Sequence, residues 1–192
     1  MTALDRKPRD LPANAGVDAA LTPEAVLDLS PVMPVVVIED VESAVPLARA
    51  LAAGGVRVIE ITLRTTAALA AVERVAAEVP EMVVGAGTLT SADQVAAVQR
   101  AGARFLVSPG SPSRLVDAAL STGLPLLAGV STVTEMMVLA DRGLTAMKFF
   151  PAEASGGADY LCAVAGPLPQ LRFCPTGGIT ASSAPTYLAL PS

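Results

Sequence analysis

From residue 33 onward, apolar runs of strand length alternate with Ala-rich segments whose apolar positions recur at three- and four-residue spacing. The runs are 33–38, 56–61, 82–87, 104–108, 124–128, 144–151 and 171–175, and they predict seven strands. Helices are predicted between them. Thr22-Pro23-Glu24 reads as a start, with Thr as N-cap and Pro at the first helical position, for a helix to about Leu29. The next spans 41–53, with Asp40 as cap and Gly54-Gly55 as stop, although Pro46 blurs its beginning. Others follow over 66–79 and from a Thr90-Ser91-Ala92-Asp93 capping box to Ala101. Ser111-Pro112 opens a helix that Gly123 ends, and Thr132 with Glu135 caps one that Gly143 stops. The last two span 160–164 and, opened by Thr180, run through Ala189.

Successive strands recur at roughly 20 to 26 residues, the length of one βα unit in a parallel barrel. Their near-continuous apolar character is that of a sheet covered on both faces. The expected class is α/β, with a (β/α)8 TIM barrel favoured over a flavodoxin-like open sheet. No eighth strand follows the last helix before Ser192. The expected organisation is therefore a loose arm over 1–20 and a single barrel domain over 21–192 that is C-terminally incomplete.

Candidate chemistry follows from the strand ends, where barrels build their sites. Lys7 and Lys148 are the only lysines, and Lys148 alone lies in an apolar strand. A buried, unpaired ammonium is costly, so such a lysine tends toward a lowered pKa and nucleophilicity, unless it snorkels to solvent or pairs with a carboxylate. Strand two ends in Glu60-Ile61-Thr62-Leu63-Arg64, and the period-2 alternation allows Glu60 to point inward. There it can do acid–base work or form an ion pair with Arg64. Gly85-Ala86-Gly87-Thr88 allows close backbone approach of a ligand beside a hydroxyl, or is an ordinary turn. Pro175-Thr176-Gly177-Gly178-Ile179 precedes a predicted helix and resembles an anion cradle. An amine, a carboxylate, an arginine, a threonine and such a cradle fit Schiff-base chemistry on a small keto acid carrying a remote phosphate.

Composition narrows the alternatives. Aromatic residues make up 3% of a chain that is 52% hydrophobic, so the core is built from Ala, Val and Leu. A net charge of −5, with no basic run, argues against a nucleic-acid partner. No apolar stretch approaches a membrane span and the N-terminus lacks a secretory signal. With two cysteines out of metal-ligand spacing, the expected location is cytoplasmic. Histidine is absent, which removes Ser-His-Asp and Cys-His arrangements and the usual zinc ligands.

Residues 60–65, 85–88, 107–110, 147–153 and 175–179 together resemble, in order, the motifs of the 2-keto-3-deoxy-6-phosphogluconate aldolase family, which includes 4-hydroxy-2-oxoglutarate aldolases. The resemblance runs from about residue 22 to the end. It implies a class I aldolase on a (β/α)8 barrel, without metal or cofactor and usually homotrimeric. The implied substrates are a phosphorylated keto acid, cleaved to pyruvate and glyceraldehyde 3-phosphate, and 4-hydroxy-2-oxoglutarate, cleaved to pyruvate and glyoxylate. By motif, Lys148 corresponds to the Schiff-base lysine and Glu60 to the general acid/base. Arg64 and Thr88 correspond to the pyruvate-carboxylate contacts, Pro109 and Phe150 to the pocket lining, and Thr176, Gly177 and Gly178 to the phosphate segment. The family's final strand, with its Gly-Gly-Ser type phosphate contact, has no counterpart here. Competing expectations are an aldolase for the galactonate epimer, a phosphate-binding isomerase or epimerase, and an inactive truncated barrel acting as an oligomeric scaffold.

Overall fold

A computed structural model of the chain describes residues 21–190. The arm expected over 1–20 lies outside them. Helix α1 (Pro23–Asp28) begins as its sequence dictates, the Thr22 hydroxyl accepting from Ala25 N–H. Seven βα steps follow. Strand β1 is short (Val35–Val36) and leads through a 3-10 turn, capped by Asp40, into α2 (Ala44–Ala53). Pro46 falls in the first turn of α2, where its missing N–H has no intrahelical partner to lose. Next come β2 (Val58–Thr62), α3 (Ala68–Glu78), β3 (Val83–Gly87) and α4 (Ala92–Arg100). The box that opens α4 pairs Ser91 with Gln94, not Asp93, because only the third helical residue reaches back to the cap N–H. β4 (Phe105–Val107), α5 (Ser113–Ser121) and β5 (Leu126–Val130) precede α6 (Val133–Ala140), which carries the expected Thr132–Glu135 box.

The last elements are β6 (Ala146–Phe149), α7 (Gly157–Ala165), β7 (Arg172–Pro175) and α8 (Ala184–Leu188). Two boundaries depart from expectation. α7 starts three residues earlier than the sequence suggests, at Gly157. Thr180 and Ser183 cap a first turn by bonding each other's backbone N–H groups, and Ala184 N–H reaches the Thr180 carbonyl, but the continuous helix begins only at Ala184 because Pro185 has no N–H to bond the Ala181 carbonyl. Pro185 also confines the helix start to the residues just before it.

All seven strands are parallel, and their spatial order is their chain order. That order excludes the flavodoxin-like alternative, whose first strands are transposed. The sheet is strongly curled. β2 and β6 stand four steps apart, about 19 Å across a flat sheet at the usual strand spacing. Yet side chains of Glu60 on β2 and Lys148 on β6 hydrogen-bond at 3.1 Å. Only a sheet rolled toward closure brings them together.

The outer face of the sheet packs on the helices through residues such as Ile59, Ile61, Val84 and Met147, which join the main core. The inner face carries a second cluster, in which Val58, Phe105, Val107, Leu127 and Ala146 pack with Val26 of α1. α1 thus closes the N-terminal mouth. It is tied there by Thr145, whose hydroxyl donates to Glu24 at 2.6 Å, and by an Arg172–Asp28 ion pair at 2.8 Å. Within β2, Val58, Glu60 and Thr62 share one face by alternation, as do Ala146 and Lys148 in β6. Glu60 and Lys148 therefore lie one layer above the plug, toward the C-terminal ends. Among the described residues β1 and β7 each have one strand neighbour. A cleft of about 600 Å³, lined by Met33, Val35, Phe173 and Cys174, separates the two edges.

Candidate active site

Lys148 and Glu60 form the centre of the site. Both are buried, at 5% and 1% exposure, in a core that is otherwise almost wholly apolar. The Lys148 ammonium donates to both carboxylate oxygens of Glu60, at 3.1 Å to Oε1 and 3.3 Å to Oε2. Two sequence alternatives are resolved here. Lys148 is paired with a carboxylate rather than isolated, and the partner of Glu60 is Lys148 rather than Arg64. Arg64 sits four residues on, outside β2 and exposed, where its Nε donates to the Thr88 hydroxyl at 3.3 Å.

Burial raises the Glu60 carboxyl above its ordinary value of 4.5, while the Lys148 charge and hydrogen bonds, and more weakly Arg64, pull it back. A buried carboxylate whose proton affinity is raised beside an amine is suited to taking and returning protons.

Gly87 makes this placement possible. A Cβ built on it would lie 2.0 Å from Glu60 Oε1, so the carboxylate occupies the room that a side chain would need. The sequence reading assigned the small residues of 85–87 to ligand approach; at Gly87 the approaching group is the protein's own carboxylate. Thr88 follows with φ of 60°, the one described non-glycine residue in the left-handed region. That conformation is costly for a β-branched residue and sets its hydroxyl beside Arg64.

The remaining predicted residues lie in the segments that follow β4, β6 and β7. The Phe150 ring centroid is 5.6 Å from Lys148 Nζ. Pro109 follows Ser108, a buried residue whose hydroxyl accepts from Gly129 N–H at 3.4 Å. The Pro109 backbone lies against Gly129, and Gly129 is the register partner of Lys148. On the other side, Cys174 is the register partner of Lys148. Burial pushes its thiol up to about 11, so it stays neutral beside the pair. Thr176 extends from β7, and Gly177 packs on Phe150 and Pro151. The Gly177, Gly178 and Ile179 N–H groups meet no acceptor among the described residues. The turn they form is separated from α8 by the Thr180–Ser183 turn, so it is an open loop rather than a helix start. Sequence reasoning missed Cys174 as a neighbour of the amine. Nothing in its local pattern marks it, because its place beside Lys148 is set by the register between β6 and β7.

Among the described residues no group of three or more Cys, Asp or Glu is placed to hold a metal ion, and no helix is long and apolar enough to cross a membrane.

Comparison with known proteins converges on one group. The family model for KDPG and KHG aldolase matches residues 24–192. A KHG/KDPG aldolase of Escherichia coli is 53% identical over 169 residues, 88% of this chain and 79% of that protein. Among solved structures, a KDPG aldolase from Legionella pneumophila, with pyruvate captured as a covalent carbinolamine intermediate, superposes with a TM-score of 0.86 at 46% identity. That match covers 88% of this chain and 82% of the other. The 2-keto-3-deoxy-6-phosphogluconate aldolase of Zymomonas mobilis, solved with 3-phosphoglycerate, gives 0.84 at 48% identity and covers 88% and 80%. With this likeness spanning the strands that carry Glu60 and Lys148, the chain belongs to the KDPG and KHG aldolase family.

Proposed function

We propose that this protein is a class I aldolase that cleaves 2-dehydro-3-deoxy-6-phosphogluconate to pyruvate and glyceraldehyde 3-phosphate. The same site acts on 4-hydroxy-2-oxoglutarate, giving pyruvate and glyoxylate. The observation that carries the reading is the buried Lys148–Glu60 pair, with Nζ 3.1 Å from Oε1.

Glu60 accepts a proton from the Lys148 ammonium, which frees the amine to attack the C2 ketone. Glu60 returns that proton to the carbinolamine hydroxyl, which leaves as water and gives a protonated imine on Nζ. The Glu60 carboxylate then takes the proton of the C4 hydroxyl, directly or through one water. The C3–C4 bond breaks as the aldehyde forms, and its electrons pass into the imine to give an enamine of pyruvate. Protonated Glu60 returns a proton to C3, and hydrolysis of the new imine frees pyruvate and Lys148. Arg64, with guanidinium donors to spare beyond its bond to Thr88, holds the substrate carboxylate with the Thr88 hydroxyl. Phe150 and Pro109 wall the keto-acid end. Thr176 and the unpartnered N–H groups of Gly177 and Gly178 receive the phosphate.

The finer architecture is that of a (β/α)8 barrel domain over 21–192 with the eighth strand's position open between β1 and β7. The cleft between those edges supports it. A homotrimer is supported by Val133, Met137 and Val138 of α6, exposed at 37%, 52% and 54%, an apolar face that a second copy would cover. The cytoplasm suits a charged, membrane-impermeant substrate and two free thiols.

Borohydride trapping with pyruvate tests the assignment. Intact mass and peptide mapping are expected to find one reduced adduct, on Lys148, absent from Lys148→Ala. A folded protein that forms no adduct would overturn the Schiff-base mechanism.

A further inference from the structure

The loop after β7 is held from below by the turn after β6. Ala152 N–H donates to the Thr176 carbonyl at 2.8 Å, and Glu153 N–H donates to the Gly177 carbonyl at 3.1 Å. In a trans peptide unit the C=O and N–H point in opposite directions. Anchoring those two carbonyls therefore aims the Gly177 and Gly178 N–H groups away from residues 152 and 153, toward where an anion would sit.

The Glu153 side chain completes the support. A Cβ on Gly178 would lie 2.8 Å from both Cβ and Cγ of Glu153, so the stem of Glu153 packs directly under Gly178. Its carboxylate is held by Tyr187 of α8, whose hydroxyl donates to Oε1 at 2.8 Å. Burial and the adjacent carboxylate push the Tyr187 phenol up to about 12, which keeps it a donor throughout the neutral range. Without that bond the Glu153 stem is free to leave Gly178, and the loop loses the support that fixes the direction of its N–H groups.

We propose that Glu153 and Tyr187 form a latch that holds the 176–178 loop in its anion-receiving shape, making them positioning residues that set the preference for phosphorylated over unphosphorylated keto acids. The inference rests on the aldolase reading of the site and on the loop as its phosphate end. Neither residue touches the reacting carbons, so the latch acts on the phosphate end alone.

The test compares kcat/KM for 2-dehydro-3-deoxy-6-phosphogluconate with that for 4-hydroxy-2-oxoglutarate. In Tyr187→Phe the ratio is expected to fall about tenfold, the equivalent of roughly 1.4 kcal/mol for one lost charge-assisted hydrogen bond. Glu153→Ala is expected to give a similar fall, and adding it to Tyr187→Phe to lower the ratio little further, because both side chains act through one support under Gly178. An unchanged ratio in Tyr187→Phe, or an equal fall for both substrates, would overturn the latch. A titration with inorganic phosphate, followed by the amide resonances of Gly177 and Gly178, reads the latch without turnover. Tyr187→Phe is expected to weaken phosphate binding, and equal binding by both proteins would overturn it. A wild-type protein that binds phosphate but cleaves neither substrate would count against the aldolase reading while leaving the latch standing on the titration.

Discussion

Replacing Lys148 by Met probes the pair on which the site is built. The substitution keeps an unbranched side chain in the barrel and removes the charge. Glu60 is left with a side chain 2% exposed and without its hydrogen-bond donor. Breaking a buried pair from one side costs about 3–5 kcal/mol. For a chain of this size that lowers Tm by about 6–20 °C, at roughly 2–4 °C per kcal/mol. The cost depends on pH, with a definite sign. The Glu60 carboxyl is already raised above 4.5, and losing Lys148 removes the main influence that lowers it. A raised carboxyl favours the folded state below its unfolded pKa, and that advantage disappears as pH rises through the folded value. The deficit of Lys148→Met relative to wild type is therefore expected to be large at about pH 8 and to shrink toward about pH 5. Pairing it with Glu60→Met replaces the ion pair by apolar groups of similar volume and restores most of the Tm. Thermal melts of the three proteins, followed by circular dichroism at both pH values, provide the measurement. A deficit that is the same at both pH values, or a double variant no more stable than the single one, would refute the reasoning that Glu60 carries a buried charge balanced by Lys148.

Two further outcomes are expected. The cleavage kcat/KM should rise with pH as Glu60 loses its proton, with its acid limb above the ordinary carboxylate value of 4.5; a limb at or below that value would count against Glu60 as the base. Gly87→Ala should lower kcat by about 100-fold or more, because its Cβ would sit 2.0 Å from Glu60 Oε1 and the carboxylate must move. Trapping of pyruvate on Lys148 should slow as well, because the same carboxylate frees the amine, whereas cleavage at the wild-type rate would show that Glu60 needs no such precise placement.

Much of the fold was legible from local pattern. The seven strands follow seven apolar runs, and the caps of α1 and α6 use the residues that their sequences announce. Boundaries were less legible where side chains compete with the backbone. The missing N–H of Pro185 delays α8 beyond the turn that Thr180 caps, and only two residues of the 33–38 run pair as β1. Among the described residues β1 bonds to β2 alone. Its C-terminal end is held instead by the hydroxyls of Thr62 and Thr65, which donate to the Val36 and Ile38 carbonyls.

The site divides in the same way. That Lys148 sits in a buried strand, and that Glu60 can face inward, follow from the period-2 alternation of apolar sequence, which is a local property. Which carboxylate Lys148 meets is not local. The two residues are 88 positions apart in sequence, and their contact exists because the sheet curls β2 onto β6. The room that Gly87 leaves for Glu60, the Cys174 thiol beside the amine and the Tyr187 hydroxyl under the 176–178 loop are likewise contacts between elements. A linear sequence records what each residue can do chemically and which side of its own strand it occupies. Distances between strands are set by how the whole sheet packs and rolls, and those distances decided the pairing on which the chemistry rests.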